Sequence, residues 1–380
     1  MKKKVCIVTR RMVAGGIEKA LINMLNVMSR EEYEIDLFVM GLGGEFIEDI
    51  PSWVNIKPIF GYENSSIEKI IKYLRHFKFR SIKNLILSRL TKSYFKEELY
   101  LSKTIENNKI YDIAVAYHTP ASFPVICVSQ QINAKKKLAW IHSDVSFYKK
   151  EMENYIKFYD DYEKIICVSK YSKSKFDSQY SHLANKTEVF LNIIDKKEIL
   201  RKSKVKNVFL NEFGCLKLVT VARLTEEKGF DLLIETSELL KNKNIKFKWY
   251  IIGDGDLRID IEKEIKRKGL EKNIKLIGFK ENPYPYMAEC DIYIQPSKHE
   301  GFCITLAEAK CLNKLIIATN FIGAREQLIN NKNGIIVNYD KQDLLDAIEK
   351  LSNNKEFKNK LIYNLEREKD FNNVSIKTLF

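Results

Sequence analysis

No tract of about 18 or more uninterrupted apolar residues occurs in the 380-residue chain, so no segment of it is built as a bilayer-spanning helix. No CxxC pair occurs either. The seven cysteines (Cys6, Cys127, Cys167, Cys215, Cys290, Cys303 and Cys311) stand singly, mostly inside apolar runs, which argues against structural zinc and for reduced thiols. Internal repeats and low-complexity segments are missing as well. The apolar part of the opening MKKKVCIVTR is too short for a signal peptide and reads as a first strand, so a cytoplasmic location is expected.

Positive charge is in excess. Lys and Arg number 64 against 50 Asp and Glu, a balance of +14 that favours anionic partners such as nucleotide phosphates, acidic lipids or nucleic acid. Much of the excess lies between Lys69 and Lys96, where nine Lys or Arg and no acidic residue interleave with Ile, Leu, Phe and Tyr. Two readings of this segment stay open: a helix pair packed on the first sheet with a solvated basic face, or a basic amphipathic insertion (near 65–100) lying on an anionic membrane, each basic residue contributing roughly 1 kcal/mol. Nucleic-acid binding is disfavoured, because no recognised nucleic-acid module accompanies the charge.

At about 100 to 200 residues per domain, the length predicts two domains. Short Val- and Ile-rich runs alternate with helix-period segments, the pattern of α/β domains with parallel sheets. In the first half the strand candidates are KVCIVT, EIDLFVM, DIAVAY, KLAWI, KIICVS and TEVFL; in the second they are LKLVTVA, FKWYIIG, NIKLIG, CDIYIQ, KLIIAT and NGIIV. The charged stretch Asp195 to Cys215 is read as the linker, giving domains 1–200 and 201–380. The polar tail after Ser352 is expected to be helical, with its last helix returning to the first domain.

Several loops at predicted strand ends carry residues suited to an anion. Gly15 and Gly16 follow the first strand and precede a helical pattern, so backbone there can approach a ligand, although the full GxGxxG spacing is lacking. In VARLTEEKGFDLLIE, Arg223 follows a strand and Lys228 precedes a helix, both at the carboxyl edge of a sheet, where they are placed to hold a diphosphate. Gly253 and Gly255, in IIGDGDLR, form a tight turn at the same edge. In SKHEGFCITLAEAKC a helix is predicted to begin near Cys303 or Ile304, so Glu300 precedes it and Glu308 lies on it. The free N–H groups of Phe302, Cys303, Ile304 and Thr305 then face the gap between the two carboxylates, a place for a phosphate. Carboxylates repel a phosphate but hydrogen-bond hydroxyls, so two sugars joined by a diphosphate fit the arrangement.

As a set, VARLTEEKGFDLLIE, IIGDGDLR and HEGFCITLAEA resemble the core motifs of the retaining glycosyltransferases of GT-B fold in family GT4, the group 1 glycosyl transferases, whose pattern is a Glu, seven residues, then a Glu. The resemblance implies an α/β fold of two Rossmann-like, doubly wound parallel-sheet domains facing a deep cleft, with acceptor side first and donor side second. It implies that Arg223 and Lys228 neutralise the donor diphosphate, Glu308 binds the ribose and Glu300 the transferred sugar. Gly16, with Gly15, approaches the phosphates, and His142 in AWIHSD lies beside the reacting carbon. His118 in AYHTP also ends a strand, and the sequence leaves open which histidine is nearer the chemistry. Two positions depart from the family pattern: Cys303 stands where glycine is frequent, and FLNIID keeps Asn192 without the usual neighbours.

The expected activity is transfer of a hexose or N-acetylhexosamine from a nucleotide sugar, with UDP the expected nucleotide, to a lipid-linked or polysaccharide acceptor in capsule, lipopolysaccharide or other envelope glycan synthesis. The family is thought to react by front-face attack with the leaving phosphate as base, giving retention. No DxD-like acidic pair is placed to require a metal, and no cofactor is expected. The enzyme is expected to be cytoplasmic and peripheral on the membrane's inner face. A GT-B nucleotide-sugar epimerase, or a non-enzymatic nucleotide- or nucleic-acid-binding scaffold, are the alternatives.

Overall fold

The computed structural model describes residues 1–59, 95, 98, 99, 105, 107–209, 214–368 and 376–380. All of the Lys69 to Lys96 basic segment except Phe95 lies outside these residues. The chain divides into two compact units, Met1–Ile193 with Val374–Phe380, and Ile194–Asn373.

Among the described residues the first unit has strands β1 (Lys3–Val8), β2 (Tyr33–Val39), β3 (Asn55–Pro58), β4 (Ile110–Thr119), β5 (Asn133–Ile141), β6 (Lys164–Cys167) and β7 (Thr187–Val189). They form one sheet in the order β3-β2-β1-β4-β5-β6-β7, and every neighbouring pair is parallel. Helices on both faces leave the central strands dry, with Val5 to Val8 fully buried, which is why these strands read as unbroken apolar runs. The last residues belong here too: Lys3 Nζ donates to the Phe380 carbonyl at 2.8 Å, and the Phe380 ring meets Tyr33 edge-on at 6.1 Å.

The second unit repeats the plan with β8 (Leu216–Val221), β9 (Phe247–Ile252), β10 (Ile274–Gly278), β11 (Ile292–Gln295), β12 (Ile316–Thr319) and β13 (Ile335–Val337), ordered β10-β9-β8-β11-β12-β13 and again parallel throughout. Helix Phe230–Asn242 packs against helix Lys341–Asn353 on one face, burying Leu233, Leu240, Ile348 and Leu351. Each of the twelve strand candidates coincides with a strand. The additional one, β3, is short, polar and proline-ended at the sheet edge, and carries no apolar run to announce it. The stretch read as a linker contains a helix, Lys196–Lys202.

Strand order reverses between β1 and β4 in the first sheet and between β8 and β11 in the second. Loops leaving the carboxyl ends of such a strand pair diverge and open a crevice, the usual ligand position of open α/β sheets. In the second sheet the pair is pinned by the buried Thr220, whose Oγ1 donates to the Ile294 carbonyl at 2.7 Å and accepts from Trp249 Nε1 at 3.0 Å. No helix among the described residues is long and apolar enough to cross a membrane. The seven cysteines are free thiols; burial pushes Cys167 and Cys290 up to about 12, so these two stay protonated and unreactive.

Candidate active site

The loops after β8 and β11 are stitched together across the reversal point. Gly229 adopts φ 73°, and a Cβ there would lie 1.9 Å from the Pro296 carbonyl oxygen, so only glycine lets the two loops touch. The Lys298 N–H donates to the Glu227 carbonyl at 2.8 Å. This crossing brings Lys228 Nζ to 3.1 Å from Glu300 Oε2, with both side chains mostly buried. Burial disfavours the Lys228 ammonium, but the adjacent Glu300 carboxylate outweighs it and holds the lysine pKa above its ordinary value.

Glu300 is fixed from its other side. Its Oε1 accepts from Ser297 Oγ at 2.7 Å and Gln295 Nε2 at 3.0 Å. Gln295 is fully buried and its Oε1 accepts from Tyr293 OH at 2.6 Å and Thr305 Oγ1 at 3.2 Å, so both ends of its amide are used. The carboxylate is thus clamped between Lys228 on one side and Gln295 and Ser297, at and just past the end of β11, on the other.

That helix begins just after Cys303, which sits in the left-handed region at φ 65°. Glycine reaches this conformation without the Cβ penalty that cysteine bears here. Glu308 lies one turn into the helix; it is buried, and its Oε1 accepts from Tyr284 OH at 2.8 Å. The two glutamates therefore bracket the helix start. Arg223 is exposed just past β8, in the loop that carries Lys228. Gly253 and Gly255 have a packing reason of their own: Cβ atoms there would fall 1.9 Å from the Ala222 oxygen and 2.6 Å from the Leu224 oxygen, so they let the loop after β9 lie against the loop after β8.

In the first unit Gly15 caps helix Gly16–Val27 in an extended conformation. Glu18, in the first turn and 4% exposed, places Oε1 at 3.9 Å from Nδ1 of His118, whose side chain is 20% exposed. His142 lies deeper, with its ring 4.6 Å from Tyr117 and 6.5 Å from Trp140, and its buried Nε2 has no hydrogen-bond partner among the described residues. Burial, then the nearby His118, depress the His142 pKa to about 3, against a hydrogen bond with the Tyr117 backbone. His142 is therefore neutral at physiological pH, and the more accessible histidine is His118.

The unfolded chain binds a proton at this position below about pH 6.5 and the native state does not, so stability falls as pH drops from 6.5 towards 3. Between pH 6.5 and 5 the loss from His142 is about 2 kcal/mol. Thermal melts of wild type and His142→Gln at pH 7 and pH 5 check this: the wild type is expected to lose more, and parallel losses would contradict it.

Tyr284, Gln295, Ser297 and Glu18 join the candidate site residues only through the fold. A glutamate in a first helical turn ordinarily reads as a complement to the helix dipole, and Tyr284 meets Glu308 from 24 residues away.

Residues 182–368, which carry every one of these second-unit features, match the family model described as glycosyl transferases group 1. Residues 182–368 belong to the group 1 glycosyl transferases. Among related proteins, the poly(ribitol-phosphate) alpha-N-acetylglucosaminyltransferase of Staphylococcus aureus is 26% identical over 86% of this chain and 68% of its own length. A Campylobacter jejuni transferase that adds N-acetylgalactosamine to a diphospho-undecaprenol-linked acceptor is 31% identical over 43% of each chain. Among solved structures, Anabaena HepE in complex with UDP and glucose superposes with a TM-score of 0.73 at 17% identity, covering 96% of this chain and 94% of that one. The fold is GT-B, and an Escherichia coli O-antigen biosynthesis glycosyltransferase is 28% identical over 42% of this chain and 44% of its own length.

Proposed function

We propose that this group 1 glycosyltransferase moves a hexose or N-acetylhexosamine from a UDP-linked sugar to a lipid-linked or polysaccharide acceptor in envelope glycan synthesis, with retention of configuration and without a metal. The observation that carries the reading is the arrangement at one sheet edge: the Lys228–Glu300 pair, a helix start and the buried Glu308, in a chain of this family. A polymer acceptor has its counterpart in the Staphylococcus aureus relative, a lipid-linked one in the Campylobacter jejuni relative.

In this reading Glu308, oriented by Tyr284, binds the ribose hydroxyls, and Glu300, clamped by Ser297 and Gln295, binds the transferred sugar. Lys228, Arg223 and the N–H groups of residues 302–305 face the diphosphate, where negative charge grows as the glycosidic C–O bond breaks. The acceptor oxygen forms the new C–O bond on the same face while its proton passes to the departing phosphate. The first unit is assigned the acceptor. Folded Glu308→Ala, titrated with UDP, is expected to bind at least tenfold more weakly than wild type; equal affinity would sink the ribose assignment.

The basic segment Lys69 to Lys96, by its composition, suits contact with an anionic bilayer presenting the acceptor. Pelleting with phosphatidylglycerol-containing liposomes should be strong at low salt and lost as ionic strength rises; no pelleting at low salt would refute the contact.

A further inference from the structure

Gln327 closes the short helix Ile322–Gln327 and is 7% exposed. Its Nε2 donates to two backbone carbonyls of the facing loop, that of Phe302 and that of Cys303, the latter at 3.2 Å. A third carbonyl of the same loop, Glu300, accepts from the Gly323 N–H at 3.2 Å. The approach is close enough that a Cβ on Gly323 would lie 2.6 Å from the Phe302 oxygen. One helix thus holds the loop Glu300 to Cys303 from behind by three of its carbonyls.

A trans peptide plane points its C=O and its N–H in opposite directions. The cis peptide among the described residues is Thr119-Pro120, so the loop peptides are trans. Tying the Glu300, Phe302 and Cys303 carbonyls towards helix Ile322–Gln327 therefore turns the N–H groups of Gly301, Cys303 and Ile304 away from it. No acceptor among the described residues takes the N–H of Gly301, Phe302 or Cys303. The same restraint holds Cys303 in its left-handed conformation at the helix start.

We propose that Gln327 is a positioning residue for phosphate recognition: it aims the Cys303 and Ile304 N–H groups at the distal phosphate of the bound nucleoside diphosphate. This rests on the donor-site reading given above. The amide is an odd choice for packing alone. Its Oε1 is buried without a partner among the described residues, an unfavourable burial that an apolar side chain of the same size avoids. What the apolar side chain lacks is a donor for two loop carbonyls.

The test uses the full-length chain and calorimetric titration with UDP, GDP and ADP and the matching monophosphates, taking whichever pair binds wild type. Gln327→Met is expected to lower the diphosphate-to-monophosphate affinity ratio at least tenfold while monophosphate affinity holds, since only the diphosphate carries the distal phosphate. Should the methionine variant not fold, Gln327→Asn keeps the amide but withdraws it by one methylene, and the same fall in ratio is expected. An unchanged ratio in a folded variant, or equal weakening of both ligands, overturns the proposal while leaving the donor site standing. Failure of every nucleotide to bind wild type overturns the donor-site reading itself, and this inference with it.

Discussion

Lys228→Ala is expected to slow donor turnover about 10²–10³-fold, the range seen when one charge-stabilising group is removed from a preorganised site. The lysine is mostly buried, 3.1 Å from Glu300, and its ammonium is stabilised there by that carboxylate. Without it, charge on the departing diphosphate has lost its partly desolvated cation, and Glu300 has lost its partner. The second loss also costs stability, about 1–3 kcal/mol by analogy with other uncompensated buried polar groups. Lys228→Arg separates the two effects. It restores a cation for Glu300, hence the melting temperature, but its planar fork does not reproduce a compact ammonium at that distance, so turnover recovers only in part. Donor hydrolysis and thermal melts of the three proteins decide this; wild-type turnover in Lys228→Ala would exclude the lysine from the chemistry.

Gly229→Ala should be more damaging to the fold than a surface change has any reason to be. The residue lies at φ 73°, and the new Cβ would sit 1.9 Å from the Pro296 oxygen and 3.1 Å from Tyr339 Cε2. Backbone cannot yield as a flexible side chain does, so the loops after β8 and β11 must part. The left-handed conformation alone costs roughly 1–2 kcal/mol; with the overlap the expected loss is about 3 kcal/mol or more. Gly214→Ala is the control, since Gly214 has φ 74° but nothing within 4 Å of its Cβ position, so only the conformational cost of roughly 1–2 kcal/mol applies. Urea unfolding of both variants checks the difference. Because the crossing is what sets Lys228 beside Glu300, the Gly229 variant should also lose donor turnover in its folded fraction; equal stability of the two variants would show that the loops do not need the glycine.

The parts of this molecule legible in the sequence are those whose signal is local. Most of the twelve expected parallel strands are buried Val- and Ile-rich runs that announce themselves, whereas β3, part-exposed and polar, does not. Lys228, Glu300 and Glu308 could be read from their places just past a strand or on the following helix. Their supports could not: Tyr284 reaches Glu308 across 24 residues and Gln327 reaches Phe302 across 25, and such pairs depend on the order in which β8, β11 and β12 are laid in the sheet. Gly253 and Gly255 make the opposite point. Their spacing suggests a ligand turn, and their surroundings supply a backbone crossing that explains them as packing. His142 and His118, equivalent as strand-end histidines in the sequence, differ in the fold because one is enclosed by Tyr117 and Trp140 and the other faces the Glu18 carboxylate.

The central claim, that the reversal point of the second sheet holds a nucleotide sugar, is tested most directly by titrating wild type, Lys228→Ala and Glu308→Ala with UDP-glucose, UDP-galactose, UDP-N-acetylglucosamine and UDP-N-acetylgalactosamine while following the melting temperature and donor hydrolysis. A ligand at a hundredfold excess over its Kd stabilises the native state by about 2.7 kcal/mol, so at least one sugar nucleotide should raise the wild-type melting temperature by several degrees and be slowly hydrolysed, with both responses diminished in the two variants. No shift and no hydrolysis with any of the four, or responses equal in all three proteins, would contradict it.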